Sequence, residues 1–322
     1  MSFEGLLGNQ QTKENLLAAI GRGNISHFYL IAGPKGSGKK TLARLLAAAI
    51  MCQGEHKPCL ACNPCRKVMA DTHPDLITIA DPERKTVPVK TVRAYREEMF
   101  IKPNEAEKKI YLLPQELNIE GQNALLKIFE EPPKHGVFIL LTDNPESLLP
   151  TVRSRCTMIR MQGLSEDVLR SALSKEFPTA SKSELDAAIW RSGGFLGQAK
   201  ELLQEGVGLS KETLAFSQAY AAADHAALLQ VLLPLEKAKR DHVISVINQW
   251  VQLLQQALLC RNGMPVLSAE ASDLAVRRNP KDINEAIGIL KKAIEYLQGN
   301  VSTAAVCGHL QWALHQNPNQ HK

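Results

Sequence analysis

Aromatic side chains are scarce in this 322-residue chain, at 5% of the total, and no stretch approaches the roughly twenty uninterrupted apolar residues that a bilayer span requires. The first absence, together with Ala- and Leu-rich runs, favours helix. The second, with no basic segment followed by an apolar core at the N-terminus, predicts a cytoplasmic location and no membrane partner. A large excess of one charge is lacking too. The formal net charge of +5 is mild for this length, so a nucleic-acid role would have to come from motifs. No internal repeat and no long low-complexity segment occur. Without an export signal the seven cysteines meet no oxidising compartment, which argues against disulfides. Cys156, Cys260 and Cys307 stand among apolar neighbours as small hydrophobes, but four others cluster.

What is present is a chain too long for one small core. From Gly5 to about Arg160, short β-type runs alternate with helical patterns: Phe28–Ala32, Leu76–Ile79, Ile110–Leu113, Val137–Leu141 and Met158–Arg160. Such alternation predicts a parallel sheet covered by helices on both faces. Beyond Gln162 the strand signal stops. Leu164 to Glu205 reads as short helices, with Ser165 as a candidate cap and Gly193-Gly194 as a break. From Leu209 onward long amphipathic patterns, such as His242–Leu254 and Ile283–Leu297, predict a helical bundle. The expected boundaries are 1–162 for an α/β phosphate-loop domain, 163–206 for a small helical lid and 207–322 for an all-α C-terminal domain, with a frayed polar tail at 316–322.

The segment Gly33-Pro-Lys-Gly-Ser-Gly-Lys-Lys-Thr41 follows a strand and opens the helical run Leu42–Ile50, the context of a phosphate-binding loop. Gly33, Gly36 and Gly38 let backbone amides converge on an anion at a helix N-terminus, and Lys39 would reach the β and γ phosphates. A full motif places Ser or Thr directly after that lysine to hold Mg²⁺. Here that position is Lys40, and Thr41 comes one residue late. The other half of an ATPase site is an acid ending a buried strand. The candidate strand Lys109–Leu113 continues Pro114-Gln115-Glu116, so Pro and Gln stand where an Asp-Glu pair belongs, and strand alternation would turn Glu116 the wrong way. No Mg²⁺ site and no hydrolysis are expected, while binding of ATP through backbone amides is left open.

Cys52, Cys59, Cys62 and Cys65 offer four thiolates in a short Pro-containing loop, and two overlapping Cys-x2-Cys steps are the usual wrapping of tetrahedral zinc. Four protein ligands fill the shell, so the expected Zn²⁺ is structural. In Leu149-Pro-Thr-Val-Arg-Ser-Arg-Cys156, a turn between two strands carries Arg153 and Arg155 towards an edge of the sheet. An arginine there can stabilise charge on a phosphoryl group held by a neighbour, although position alone favours an ordinary solvated side chain.

Several segments together resemble the bacterial DNA polymerase III clamp-loader family of the AAA+ class. They are Gly8-Asn-Gln10, Ser26-His-Phe-Tyr-Leu30, the phosphate loop, the four-cysteine insertion, His73-Pro-Asp75, Asn123-Ala-Leu-Leu-Lys-Ile-Phe-Glu-Glu-Pro-Pro133, Thr142 and Ser154-Arg155-Cys156. The resemblance is densest over the first half of the chain. It implies a RecA-like AAA+ domain with a zinc-binding insertion, a helical lid and a C-terminal collar. Some subunits of the family keep a complete ATP site and others have a degraded one. The sequence resembles the second kind, through Lys40, Pro114-Gln115 and Gly197, which stands in Gly194-Phe-Leu-Gly-Gln-Ala199 where active members carry a nucleotide-sensing arginine. Thr142 matches the first sensor position.

The resemblance further implies a non-hydrolysing stator in a hetero-pentamer with tau/gamma and delta subunits. In it Arg155 completes the ATP site of an adjacent tau/gamma subunit, and the assembly loads the sliding clamp on primer-template DNA at the bacterial replisome. It identifies no DNA-contacting residue in this sequence. A competing expectation is an active tau/gamma-type ATPase in which Thr41 and Glu116 recover the missing roles. A third, a zinc-dependent nucleic-acid-binding module, is disfavoured by the mild charge.

Overall fold

Three wholly buried runs of five to seven residues, β1 (Phe28–Ala32), β4 (Lys109–Leu113) and β6 (Gly136–Thr142), form the centre of a parallel sheet. A computed structural model describes residues 3, 5–84, 86–206, 208–262, 268–299 and 301–315. With β2 (Leu76–Thr78) and β7 (Thr157–Arg160), the strand order is β2-β4-β6-β1-β7. Continuous apolar strands are what a sheet covered on both faces demands. A second, two-residue ladder pairs β3 (Thr86–Val87) with β5 (Glu116–Leu117). No apolar run in the sequence marks it.

Successive strand residues point to opposite faces, and two cores result. On one face Tyr29, Ile31, Ile110, Leu112, Val137, Ile139 and Leu141 meet α1 (Gln10–Gly21), α2 (Lys39–Met51) and α3 (Asn63–Met69). On the other, Phe28, Leu30, Tyr111, Leu113, Phe138 and Leu140 meet α4 (Val89–Ala94), α5 (Ile119–Glu130) and α6 (Pro150–Arg153). Register aligns Ala32 with Thr142 and Leu113 with Leu140, so the chain leaves β1, β4 and β6 at one edge of the sheet. In open parallel sheets that carboxyl edge is where ligands bind.

The described residues divide into two compact units, 1–181 with 188–205, and 182–187 with 206–322. The helices expected in the lid are α7 (Glu166–Glu176), α8 (Lys182–Arg191) and α9 (Leu196–Glu205), and α7 and α9 fall in the first unit. Ser165 does stand at the N-cap of α7, but its side chain makes no capping bond, and the acids Glu166 and Asp167 supply the first-turn complement instead. The expected break holds, since Gly193 and Gly194 adopt φ of 59° and 92°.

The second unit is a bundle of α10 (Lys211–Ala222), α11 (His225–Glu236), α12 (Arg240–Arg261), α13 (Ala269–Arg277), α14 (Pro280–Gln298) and α15 (Thr303–His315). Its centre is a stack in which the Phe216 ring lies 4.2 Å from that of Trp250 and 5.5 Å from that of Tyr220. By length and composition α12 could cross a membrane, but Val243, Val246, Ile247, Trp250 and Leu254 place one face of it in the bundle core. The tail expected to fray, 316–322, lies outside the described residues.

Candidate functional site

The phosphate loop connects β1 to α2 at the carboxyl edge of the sheet. Gly36 and Gly38 take φ of 78° and 89°, the left-handed region that an L side chain rarely enters. The loop opens onto a cavity of about 630 Å³, lined among others by Leu6, Asn9, Gly36, Lys39, Pro114 and Gly197. Of the residues expected to bind nucleotide, Gly36, Gly38, Lys39, Lys40 and Thr41 all line this cavity, and Gly33 holds the loop to the sheet by donating its N–H to the Thr142 carbonyl at 3.1 Å.

Lys39 does not extend freely into the cavity. Its ammonium donates to the carbonyls of Gly33 at 2.6 Å and Pro34 at 2.9 Å, and to Oδ1 of Asp143 at 2.6 Å. The three donors of the ammonium are thus matched by three oxygens of the chain itself. No motif in the sequence marks Asp143. Its signal was an acid directly after the last residue of β6, at the edge where the loop also lies.

At the end of β4, Pro114 lines the cavity where an acid was missed in the sequence, and the Gln115 amide is engaged elsewhere. Its Oε1 accepts from the N–H of Asp81 at 2.8 Å, and its Nε2 donates to the carbonyls of Asp81 at 2.8 Å and Arg84 at 2.9 Å. The strand alternation expected to orient Glu116 does not reach it. Its Oε1 accepts from the Thr142 hydroxyl at 3.1 Å, so the carboxylate is directed to the end of β6 rather than away from it. The reason is that β4 stops at Leu113. Pro114 has no N–H for the ladder, alternation lapses there, and Glu116 restarts as part of β5. Glu116 is not among the residues lining the cavity, and the Thr142 hydroxyl is shared with the Asn144 carbonyl at 2.9 Å.

Two further contacts frame the cavity. Asn9, at φ 52°, exchanges hydrogen bonds with the backbone of Gln162, donating at 3.4 Å and accepting at 2.8 Å, which ties the N-terminal segment across the site. Helix α9 comes onto the loop itself, with the Gly197 N–H donating to the Gly36 carbonyl at 2.9 Å.

The cysteine cluster lies at the junction of α2 and α3, with Cys52 capping the end of one helix and Cys62 and Cys65 starting the other. All four are free, and their sulfurs lie within 4.8 Å of one another. Tetrahedral thiolates at about 2.3 Å from a zinc ion stand roughly 3.8 Å apart, so the constellation fits such an ion with little contraction. Backbone N–H groups of Gly54 and Cys59 point at the Cys52 sulfur, at 3.3 and 3.4 Å, and that of Cys62 points at Cys59 at 3.2 Å. The N–H groups of Cys62 and Ala61 pull the Cys59 thiol down to about 6, whereas burial pushes Cys52 and Cys65 up. The buried pair therefore needs a cation to deprotonate it, and the four residues can hold a metal ion.

Arg153 and Arg155 flank the end of α6, before the edge strand β7. Arg153 is paired with Glu146. Arg155 remains 40% exposed, donates through Nη1 to the Thr151 carbonyl at 3.0 Å and has Nη2 3.8 Å from Glu130. Such a surface pair holds weakly, so the guanidinium is held mainly by its Nη1 bond to Thr151 and stays open to solvent.

Residues 8–165 match the model of a family described as DNA polymerase III, delta subunit. The chain belongs to the DNA polymerase III clamp-loader family. Its relatives include the DNA polymerase III subunit tau of Salmonella typhimurium, 29% identical over 296 residues that cover 85% of this chain and 46% of the relative. The subunit delta' of Bacillus subtilis is 33% identical over 161 residues, 49% of each chain. The chain thus spans about half the length of these relatives. Among solved structures, a gamma subunit-related protein of Thermotoga maritima aligns over 94% of this chain and 98% of its own with a TM-score of 0.42 and 16% identity, too loose a likeness to carry an inference.

In this clamp-loader family chain the structure brings together the phosphate loop, Thr142 and Gly197 at one edge of the sheet, and it keeps the four cysteines together as a separate cluster. Arg155 is apart from both, on the edge strand's side.

Proposed function

We propose that this chain is a non-hydrolysing, delta-prime-type subunit of a DNA polymerase III clamp loader. The observation that carries the reading is the end of β4, where Pro114 faces the cavity and Gln115 is bound to the Asp81–Arg84 loop, so that no carboxylate from that position meets the phosphate loop. Lys40 in place of the metal-binding hydroxyl supports it. A site that can neither hold Mg²⁺ nor orient water gives positioning without phosphoryl transfer.

In this reading the chain assembles with tau/gamma and delta subunits into a hetero-pentamer in the bacterial cytoplasm. Arg155, exposed and tethered at Thr151, completes a neighbouring tau/gamma ATP site, and the assembly places the sliding clamp on primer-template DNA. The segment 163–206 is the lid and 207–322 the collar. The cysteine cluster holds Zn²⁺, which staples the loop between α2 and α3 and supplies no catalysis because its shell is full.

The test compares ATP turnover by the isolated chain with turnover by a complex reconstituted with tau/gamma and delta, using wild type and Arg155→Ala. The reading expects an inert isolated chain and a complex that assembles but is slowed by the substitution. Turnover by the isolated chain, abolished by Lys39→Ala, would overturn it. One observation favours that second, tau/gamma-type reading: Glu116 turns its carboxylate to Thr142, at the first sensor position.

A further inference from the structure

We infer that the phosphate loop of this chain is the docking site of its own lid, latched by a backbone contact between Gly36 and Gly197 that requires glycine on both sides. Gly197 is the second residue of α9, and the first N–H groups of a helix have no partner within it. One of these orphan donors is matched by the loop, through the 2.9 Å bond from Gly197 N–H to the Gly36 carbonyl. The phosphate loop thereby caps the lid helix.

The two backbones touch so closely that neither position has room for a side chain. A Cβ on Gly197 would lie 2.5 Å from Cα and 2.7 Å from the carbonyl oxygen of Gly36. A Cβ on Gly36 would lie 2.5 Å from the backbone nitrogen of Gln198, and Gly36 also sits at φ +78°. Both obstacles are backbone atoms, which cannot rotate aside as the end of a side chain can. Around this contact Lys35 pairs with Glu201 of α9 at 2.9 Å, and Lys39 is held by Gly33, Pro34 and Asp143. The loop and α9 are thus joined directly, backbone to backbone at Gly36 and Gly197 and side chain to side chain at Lys35 and Glu201.

The absent side chain at 197 and the seated lid are therefore one feature. Any residue other than glycine there would lift α9 from the loop and reopen the seam. A lid seated in this way does not wait for nucleotide to close, and the further step of assigning the latch to a stator's rigidity rests on the function proposed above.

Hydrogen exchange on the full chain tests the latch by comparing wild type, Gly197→Ala and, as control, Gly288→Ala in α14, where a Cβ meets nothing within 4 Å. Each is measured with and without Mg·ADP. Alanine within a helix is ordinarily more favourable than glycine, so faster exchange in the Gly197 variant runs against propensity and reports the lost contact. The latch expects the peptides over 33–41 and 196–205 to be protected in wild type and unmoved by Mg·ADP. It expects Gly197→Ala to speed exchange in both by at least about fivefold while Gly288→Ala leaves both unchanged. Equal or slower exchange in Gly197→Ala overturns it, and so does a wild-type lid that becomes protected only when Mg·ADP is added. The wild-type comparison stands even if the Gly197 variant folds poorly. ATP turnover plays no part in these readings, so an active isolated chain would remove the stator assignment and leave the latch intact.

Discussion

Gln115 and Asp81 bind each other twice, the Gln115 Oε1 accepting from the Asp81 N–H and its Nε2 donating to the Asp81 carbonyl, both at 2.8 Å. Only an uncharged amide can do both, because a carboxylate has no donor for the carbonyls of Asp81 and Arg84. Restoring an acid by Gln115→Glu is therefore expected to cost roughly 1–3 kcal/mol of stability, from two carbonyls left facing an anion, and to give no ATP turnover. Urea unfolding beside a turnover assay checks both. A variant as stable as wild type that hydrolyses ATP would show that the amide is dispensable and the site recoverable.

The parts of the fold that the sequence disclosed are those written in apolar runs. β1, β4 and β6 are each buried throughout because both their faces are covered, and apart from Lys109 and Thr142 at two of their ends their side chains are aliphatic or aromatic, so their limits came within a residue or so of the structure. The β3–β5 ladder escaped because two residues have no periodicity. The direction of Glu116 could not be read from alternation, because Pro114 ends the strand and the carboxylate is set by the Thr142 hydroxyl instead. At the site, the loop was legible from its glycines and Lys39, and the cysteine cluster from spacing alone. Asp143 and the Gly36–Gly197 contact were not. An ion pair between residues 104 positions apart and a touch of two bare backbones leave no local pattern.

Asp143 holds Lys39 where a phosphate would otherwise be drawn. The lysine is mostly buried and the aspartate 62% exposed, so the pair is screened on one side and its strength modest. Asp143→Asn removes the competing charge and leaves the two loop carbonyls. Affinity for inorganic pyrophosphate or Mg·ADP is expected to rise roughly three- to tenfold, about 0.7–1.4 kcal/mol. Calorimetric titration of both proteins reads this directly, and an unchanged or weaker affinity would show that Asp143 does not compete.

Metal content is the next check. Purified chain is expected to carry close to one equivalent of zinc by mass spectrometry, and Cys62→Ser to carry well under one. Chelation should lower the melting temperature of wild type by about 5 °C or more while barely moving the Cys62→Ser protein, since structural metal binding is folding free energy. Metal-free wild type melting at the same temperature would leave the four cysteines without a structural ion.

The pH dependence of stability should trace to His73 and Asp75. Burial raises the Asp75 carboxyl, but N–H groups of Asn104, Glu105 and Ala106 at 2.6 to 2.8 Å more than reverse that and hold it below its ordinary 3.8. Burial holds His73 below its ordinary 6.5, and its Nδ1 accepts from the Asp75 N–H at 3.1 Å. In both groups the unfolded chain takes up a proton before the folded one does. Stability is then greatest above about pH 6.5, falls as pH drops and His73 protonates in the unfolded chain, and falls again below about pH 4 as Asp75 follows. Asp75→Asn should cost roughly 1.5–3 kcal/mol at pH 7, because an amide cannot accept so many donors, and its stability should vary less below pH 4. Urea unfolding from pH 7 to pH 3 decides it. An undiminished acid slope in the variant would place the titrating carboxylate elsewhere, while a slope lost together with the offset at pH 7 assigns both to the Asp75 cradle.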